Sequence, residues 1–183
     1  MITVRINGEE RQYPQGATYE DVANDYQKEY DNLIALATRD GKIRELFKKL
    51  TRDCEITFFT LKDDVGNKTY VRSATMLFLK AVFDVFGRET VQNCRVEFAI
   101  GNGSYISPKG KINATEENAA KIRNRMRELV EAKTPFLKKS YSLDNAMELF
   151  RREGMKDKEK LFRYRRGSFV NIYEMDGYYD YYY

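Results

Sequence analysis

The sequence predicts an α+β protein of two small domains, and three observations carry that reading. Ile2, Val4 and Ile6 alternate with polar residues and run into Asn7-Gly8, the opening of a strand hairpin. Ala74, Leu77, Phe78, Ala81, Val82 and Val85 recur at helical spacing. Between them the segment from Lys62 to Lys68 is polar and turn-rich, which places a domain boundary there. A chain of 183 residues with 42% apolar composition can bury two small cores.

The first domain is expected over residues 1–64. After the Asn7-Gly8 turn, Arg11 to Tyr13 forms the return strand, ended by Pro14 and Gly16. Thr18 opens a helix, with Asp21 three residues on as in a capping box, and Val22, Ala23, Tyr26 and Tyr30 share one face. Leu33 to Ala37 has the length of a strand, Asp40-Gly41 is a turn, and Ile43 to Leu50 fits strand or helix equally. Glu55 to Leu61 reads as a strand. This order fits a ubiquitin-like β-grasp.

The second domain is expected over residues 70–183. A buried helix from Val71 to Phe86 is closed by Gly87. Arg95 to Ile100 and Tyr105-Ile106 read as strands around Gly101-Asn102-Gly103. Thr115, Glu116 and Glu117 start a helix running to about Lys133 and stopped by Pro135, and Ser142 caps another that ends at Gly154. Leu161 to Tyr173 reads as strand. The last 11 residues hold 6 of the 14 tyrosines. So aromatic an end suggests a chain cut within a longer protein, and it should pack on its own domain or on a second copy.

Composition excludes much chemistry. No histidine is present, which removes the commonest general base and metal ligand. Cys54 and Cys94 are the only cysteines and form no Cys-x-x-Cys pair, so no zinc centre is expected. No apolar run reaches membrane-span length and no signal peptide opens the chain, so no membrane partner and a cytoplasmic location are expected. Gly101-Asn102-Gly103 lacks the third glycine of a dinucleotide loop. Gly110-Lys111 lacks both the first glycine and the Ser or Thr of a phosphate loop.

Charge is uneven. Residues 1–70 hold 11 Lys+Arg against 13 Asp+Glu, and residues 71–183 hold 21 against 15. A polyanion should therefore prefer the second half. Lys121, Arg123, Arg125 and Arg127 flank a helical stripe of Ala119, Ile122, Met126 and Leu129, where solvated flanks are favoured over phosphate contacts. Arg163, Tyr164, Arg165 and Arg166 mix rings and cations, which suits base stacking and strand packing equally.

Taken in order, these segments resemble a known family arrangement. Pro14-Gln15-Gly16-Ala17-Thr18 before the helix and Glu55-Ile56-Thr57-Phe58-Phe59 at the close resemble a TGS domain. Several later motifs resemble the second additional domain of threonyl- and alanyl-tRNA synthetases. These are Arg72-Ser73-Ala74-Thr75, Asn102-Gly103-Ser104-Tyr105-Ile106, Thr134-Pro135-Phe136-Leu137-Lys138-Lys139, Ser142 before Ala146-Met147-Glu148-Leu149-Phe150, and Tyr164-Arg165-Arg166-Gly167-Ser168-Phe169-Val170-Asn171. In those synthetases the domain hydrolyses mischarged tRNA with two histidines four apart on its first helix and a later Cys-x-x-x-His. By that resemblance the helix histidines fall on Arg72 and Met76, the cysteine on Tyr173 and the last histidine on Gly177. No catalytic residue and no metal ligand is left.

The same domain pair stands before the phosphate-loop domain of bacterial uridine kinase-like nucleoside kinases, and the tyrosine-rich end resembles that branch. The leading expectation is therefore a non-catalytic N-terminal module of such a kinase. Its partners would be its own kinase domain and RNA or a nucleotide-like ligand. No cofactor is expected in this chain; ATP and Mg would serve only the kinase domain beyond residue 183. The alternatives are a threonyl-tRNA synthetase-type editing fragment and a free-standing RNA-binding regulator.

Overall fold

The computed structural model describes residues 1–101, 103–108 and 112–182, and contacts divide the chain into units Met1–Ser73 and Ala74–Tyr183. In the first unit, β1 (Ile2–Ile6) pairs antiparallel with β2 (Glu9–Tyr13). Asn7 and Gly8 join them with φ of 52° and 85°, the positive pair that a tight two-residue hairpin demands. Helix α1 (Tyr19–Tyr26) carries a complete capping box: the Thr18 hydroxyl accepts from the Asp21 N–H, and the Asp21 carboxylate accepts from the Thr18 N–H at 2.7 Å. The Thr18 N–H bond, with a second donated by the Thr18 hydroxyl to the same carboxylate, holds the Asp21 carboxyl below its usual range. A 3₁₀ turn follows at Gln27–Glu29, so Tyr30 lies past the helix and meets the core edge-on to Phe58.

Strands β3 (Ile34–Arg39) and β4 (Lys42–Arg44) pair through the Asp40-Gly41 turn. The ambiguous stretch from Ile43 to Leu50 thus resolves into a short strand and an irregular turn, with Lys49 bridged to Thr18. The single strand expected over Glu55 to Leu61 is two strands. β5 (Cys54–Glu55) runs parallel to β1, while β6 (Phe58–Thr60) runs antiparallel to β3. The chain changes partners between them, where Ile56 drops into the core. That core gathers Ile2, Val4 and Ile6 with Val22, Tyr26, Ile34 and Leu50.

Helix α2 (Asp64–Phe86) begins inside the polar segment from Lys62 to Lys68, seven residues before the expected start at Val71. The Asp63 carboxylate accepts from the Thr60 N–H and hydroxyl just before the helix. Gly66 lies against the Thr60 carbonyl, where a Cβ would collide. Polar residues there face water on the first turns of a helix; they do not end one. The division between units falls between Ser73 and Ala74, inside α2.

The second unit continues with α3 (Arg88–Asn93), β7 (Arg95–Ile100), β8 (Gly103–Ser107), α4 (Glu116–Glu131), β9 (Leu137–Ser142), α5 (Leu143–Arg152), α6 (Lys156–Arg163), β10 (Phe169–Met175) and β11 (Tyr178–Asp180). Strands β7 and β8 form their own hairpin, and β9, β10 and β11 form an antiparallel sheet with β10 central. Asn102 of the expected Gly101-Asn102-Gly103 turn, Gly110-Lys111 and Tyr183 lie outside the described residues. The strand expected over Leu161 to Tyr173 is corrected: α6 ends at Arg163, and β10 starts only at Phe169. Phe162 explains the helix, since it is buried against Phe150 and Tyr181 at ring separations of 5.5 and 5.0 Å.

Two apolar clusters hold this unit. One joins Met76, Leu79 and Val82 to Ile122, Leu129, Met175 and Tyr178. The other joins Ala146, Leu149, Phe150 and Phe162 to Val170, Ile172 and Tyr181. The aromatic end thus packs on its own unit, with Tyr178 and Tyr181 buried. Two lysines fix it. Lys80, 2% exposed, donates to the Asp176 carbonyl and to Asp84, both at 2.7 Å, and Lys158 pairs with buried Asp180. The Tyr178 and Tyr182 hydroxyls donate to the same Asp180 carboxylate.

Candidate nucleic-acid interface

The loop between α6 and β10 is the strongest candidate among the residues singled out from sequence. The Tyr164 N–H closes α6 on the Leu161 and Phe162 carbonyls, while its ring is 87% exposed. Gly167 has φ of 134°, outside the range other residues adopt readily, and lets the chain turn into β10. There Phe169, opposite Ser142, is 68% exposed, while Val170 and Ile172 beside it point into the core. Two uncovered rings therefore stand at the ends of a loop holding Arg165 and Arg166. Strand packing does not account for Tyr164, which lies outside any strand.

The cations of this loop differ in availability. Arg163 donates to Glu159 at 3.1 Å, and Arg151 donates to the same carboxylate oxygen at 3.0 Å. The Arg151 bond, with that of Arg163, keeps the Glu159 carboxyl below its usual range. Arg163 thus shares a carboxylate with Arg151 within the fold. The Arg165 guanidinium sits 5.1 Å from the centroid of Tyr181, which orients it but leaves its charge unpaired by that contact. Arg166 is exposed.

Helix α4 begins at the Thr115 cap, and its cations are mostly engaged. Lys121 pairs with Glu117 at 2.7 Å, Arg123 with Glu116 at 3.3 Å, and Arg125 with Asp84 and Glu128 at 2.8 Å each. Arg127 has no recorded carboxylate partner among the described residues. It borders a shallow groove of about 320 Å³ lined by Leu77, Met126 and Val130. These pairs support solvated helix flanks over a phosphate-binding face.

The positions of the resemblance-based editing site fall as follows. Met76 is buried in the core of the second unit, Tyr173 packs against that core edge-on to Tyr182 at 6.0 Å, and Gly177 follows Asp176 in the β10–β11 turn with φ of 79°. Arg72 is exposed and lies in the first unit. Burial pushes the Tyr182 hydroxyl well above its ordinary range, so it stays protonated and is no base at neutral pH. Burial also pushes the Cys94 thiol up to about 11. Among the described residues no group of three or more Cys, Asp or Glu side chains is placed to hold a metal ion, and no helix is long and apolar enough to cross a membrane.

Sequence reasoning named Tyr164, Arg165 and Arg166 but gave Phe169 no role. Its signal was present, since alternation with Val170 and Ile172 leaves Phe169 on the opposite face. The expected strand from Leu161 to Tyr173 runs through Phe169, whereas β10 begins at it.

No protein-family model matches the chain. Threonine–tRNA ligases do resemble it. Those of Thermotoga maritima and Thermotoga petrophila are 28% and 27% identical over 93% of this chain, and that of Maricaulis maris is 28% identical over 94%. The chain spans about 28% of the length of each. These relatives favour the synthetase-type reading over the nucleoside-kinase module expected from the tyrosine-rich end, which draws no support from them. Nearly the whole of this chain is therefore similar to a part of threonine–tRNA ligases that makes up just over a quarter of their length.

Proposed function

We propose that this chain is a threonyl-tRNA synthetase-type module that binds RNA and does not hydrolyse aminoacyl esters. A TGS-type first domain would occupy residues 1–64 and a second-additional-domain-type region residues 70–183. The carrying observation is likeness to threonine–tRNA ligases over 93% of a chain that contains no histidine. Arg72, Met76, Tyr173 and Gly177 supply neither a neutral-pH base nor a soft metal ligand. What remains suited to RNA is the exposed pair Tyr164 and Phe169 with Arg165 and Arg166 between them.

The test is twofold. Fluorescence anisotropy with labelled tRNA should show binding that weakens as salt rises. The half-life of Ser-tRNA should match that in buffer when the chain is added. Hydrolysis above the buffer rate refutes the non-catalytic reading, and binding that is absent or indifferent to salt refutes the RNA reading.

A further inference from the structure

The first unit is acidic on balance, yet its cations are not spread evenly. Residues 39–52 hold Arg39, Lys42, Arg44, Lys48, Lys49 and Arg52 against only Asp40 and Glu45. Two of the six are engaged by those acids: Arg52 pairs with Asp40 at 2.9 Å and Lys48 with Glu45 at 3.0 Å. Lys42 and Lys49 have no recorded carboxylate partner among the described residues, and both are exposed.

The same segment carries uncovered apolar groups. Ile43 on β4 is 50% exposed and Phe47, in the turn after it, is 51% exposed. β4 is the edge of its sheet. The turn itself is held in place. The Leu46 and Lys48 carbonyls accept from the Glu20 and Tyr19 N–H groups, the Leu50 N–H donates to the Ala17 carbonyl, and Leu50 is buried in the core. An exposed ring on a fixed turn, with Lys49 two residues after it and Lys42 on the strand before it, has the make-up of a stacking platform beside a phosphate track.

We propose that the turn after β4 is a second contact for single-stranded RNA, with Phe47 stacking on a base and Lys42 and Lys49 meeting the flanking phosphates. Charge complementarity selects the occupant. A net-positive segment within an otherwise acidic unit attracts a polyanion, and an aromatic ring adds affinity only where the polyanion offers flat bases. The proposal rests on the RNA-binding reading and extends it from the second unit to the first.

The chain contains no tryptophan, so a single substitution makes a local reporter. Full-length Phe47→Trp and, separately, Tyr164→Trp are titrated with an unlabelled single-stranded oligoribonucleotide, and then with phosphatidylglycerol vesicles. The expected result is quenching of both reporters by RNA, with loss of the Phe47→Trp response when Lys42 and Lys49 are also changed to alanine. In the anisotropy assay Phe47→Ala should weaken binding about fivefold or more. Quenching at Tyr164→Trp alone overturns this proposal and leaves the RNA reading intact. Quenching at Phe47→Trp alone supports it and removes the interface from the second unit. No quenching at either refutes both. A blue shift of Phe47→Trp on vesicles without quenching by RNA overturns the proposal in favour of a membrane surface.

Discussion

Replacing Lys80 with methionine probes the fastening of the aromatic end to α2. The ammonium is almost fully buried and donates to Asp84 and to the Asp176 carbonyl at 2.7 Å each, with the Asp176 carboxylate at 3.2 Å. Removing one partner of a buried pair costs about 3–5 kcal/mol when the other charge is stranded. Here the stranding is incomplete, since Asp84 keeps its 2.8 Å bond from Arg125 and the Asp176 side chain is 65% exposed. Methionine also preserves the packing of the stem. The loss should therefore be about 2–3 kcal/mol, close to that of one charge-assisted hydrogen bond with its desolvated acceptor. Urea unfolding followed by far-ultraviolet circular dichroism measures it, with Asp176→Asn as the second arm of a double-mutant cycle. Asp176→Asn alone should cost about 1 kcal/mol or less, because its carboxylate faces water. A Lys80→Met midpoint corresponding to a loss under about 0.5 kcal/mol would refute the reasoning, since that is the scale of an ordinary surface change.

Four further outcomes are expected. Thr18→Ala should lower stability by about 1 kcal/mol in the same unfolding assay, through loss of the capping box. Met76→His should not create Ser-tRNA hydrolysis, because Tyr173 and Gly177 contribute nothing for an isolated histidine to act with and catalytic groups act as a unit. Neutralising Lys121, Arg123 and Arg125 together should change the salt slope of RNA binding less than neutralising Arg165 and Arg166, since the former are already paired within the fold. The burial-raised Cys94 thiol favours the folded state only while protonated, so its contribution holds below the ordinary thiol range near pH 9 and is lost as pH rises from there through about 11. Unfolding midpoints measured across that window should fall, and Cys94→Ala should remove part of the slope.

Local chemistry made much of the first unit legible. Asn7-Gly8, the Thr18 cap and Asp40-Gly41 each satisfy their backbone within a few residues, so their signals survive without tertiary context. The errors share the opposite property. Glu55 to Leu61 looked like one strand because each residue suits extended backbone, but the partner changes from β1 to β3 within it. The start of α2 at Asp64 was hidden within the turn-rich segment from Lys62 to Lys68, because polarity marks loops and solvent-facing helical turns alike. The helix at Lys156 to Arg163 was hidden because Phe162, its buried anchor, finds Phe150 and Tyr181 only in three dimensions.

For the candidate sites the division is similar. Composition removed histidine chemistry and the order of residues along the chain set the charge asymmetry between the halves, because neither depends on how the chain folds. Which cations are free was decided only by the fold. Lys121, Arg123, Arg125 and Arg163 look equivalent to Arg166 in sequence, yet each of the four meets a carboxylate brought to it by helical spacing or by a neighbouring element. Ring exposure was decided the same way: Tyr164 and Tyr181 are both tyrosines in aromatic, charged surroundings, and one is bare while the other is buried. A side chain's availability depends on what packs over it, and that is a property of long-range contacts that no local window contains.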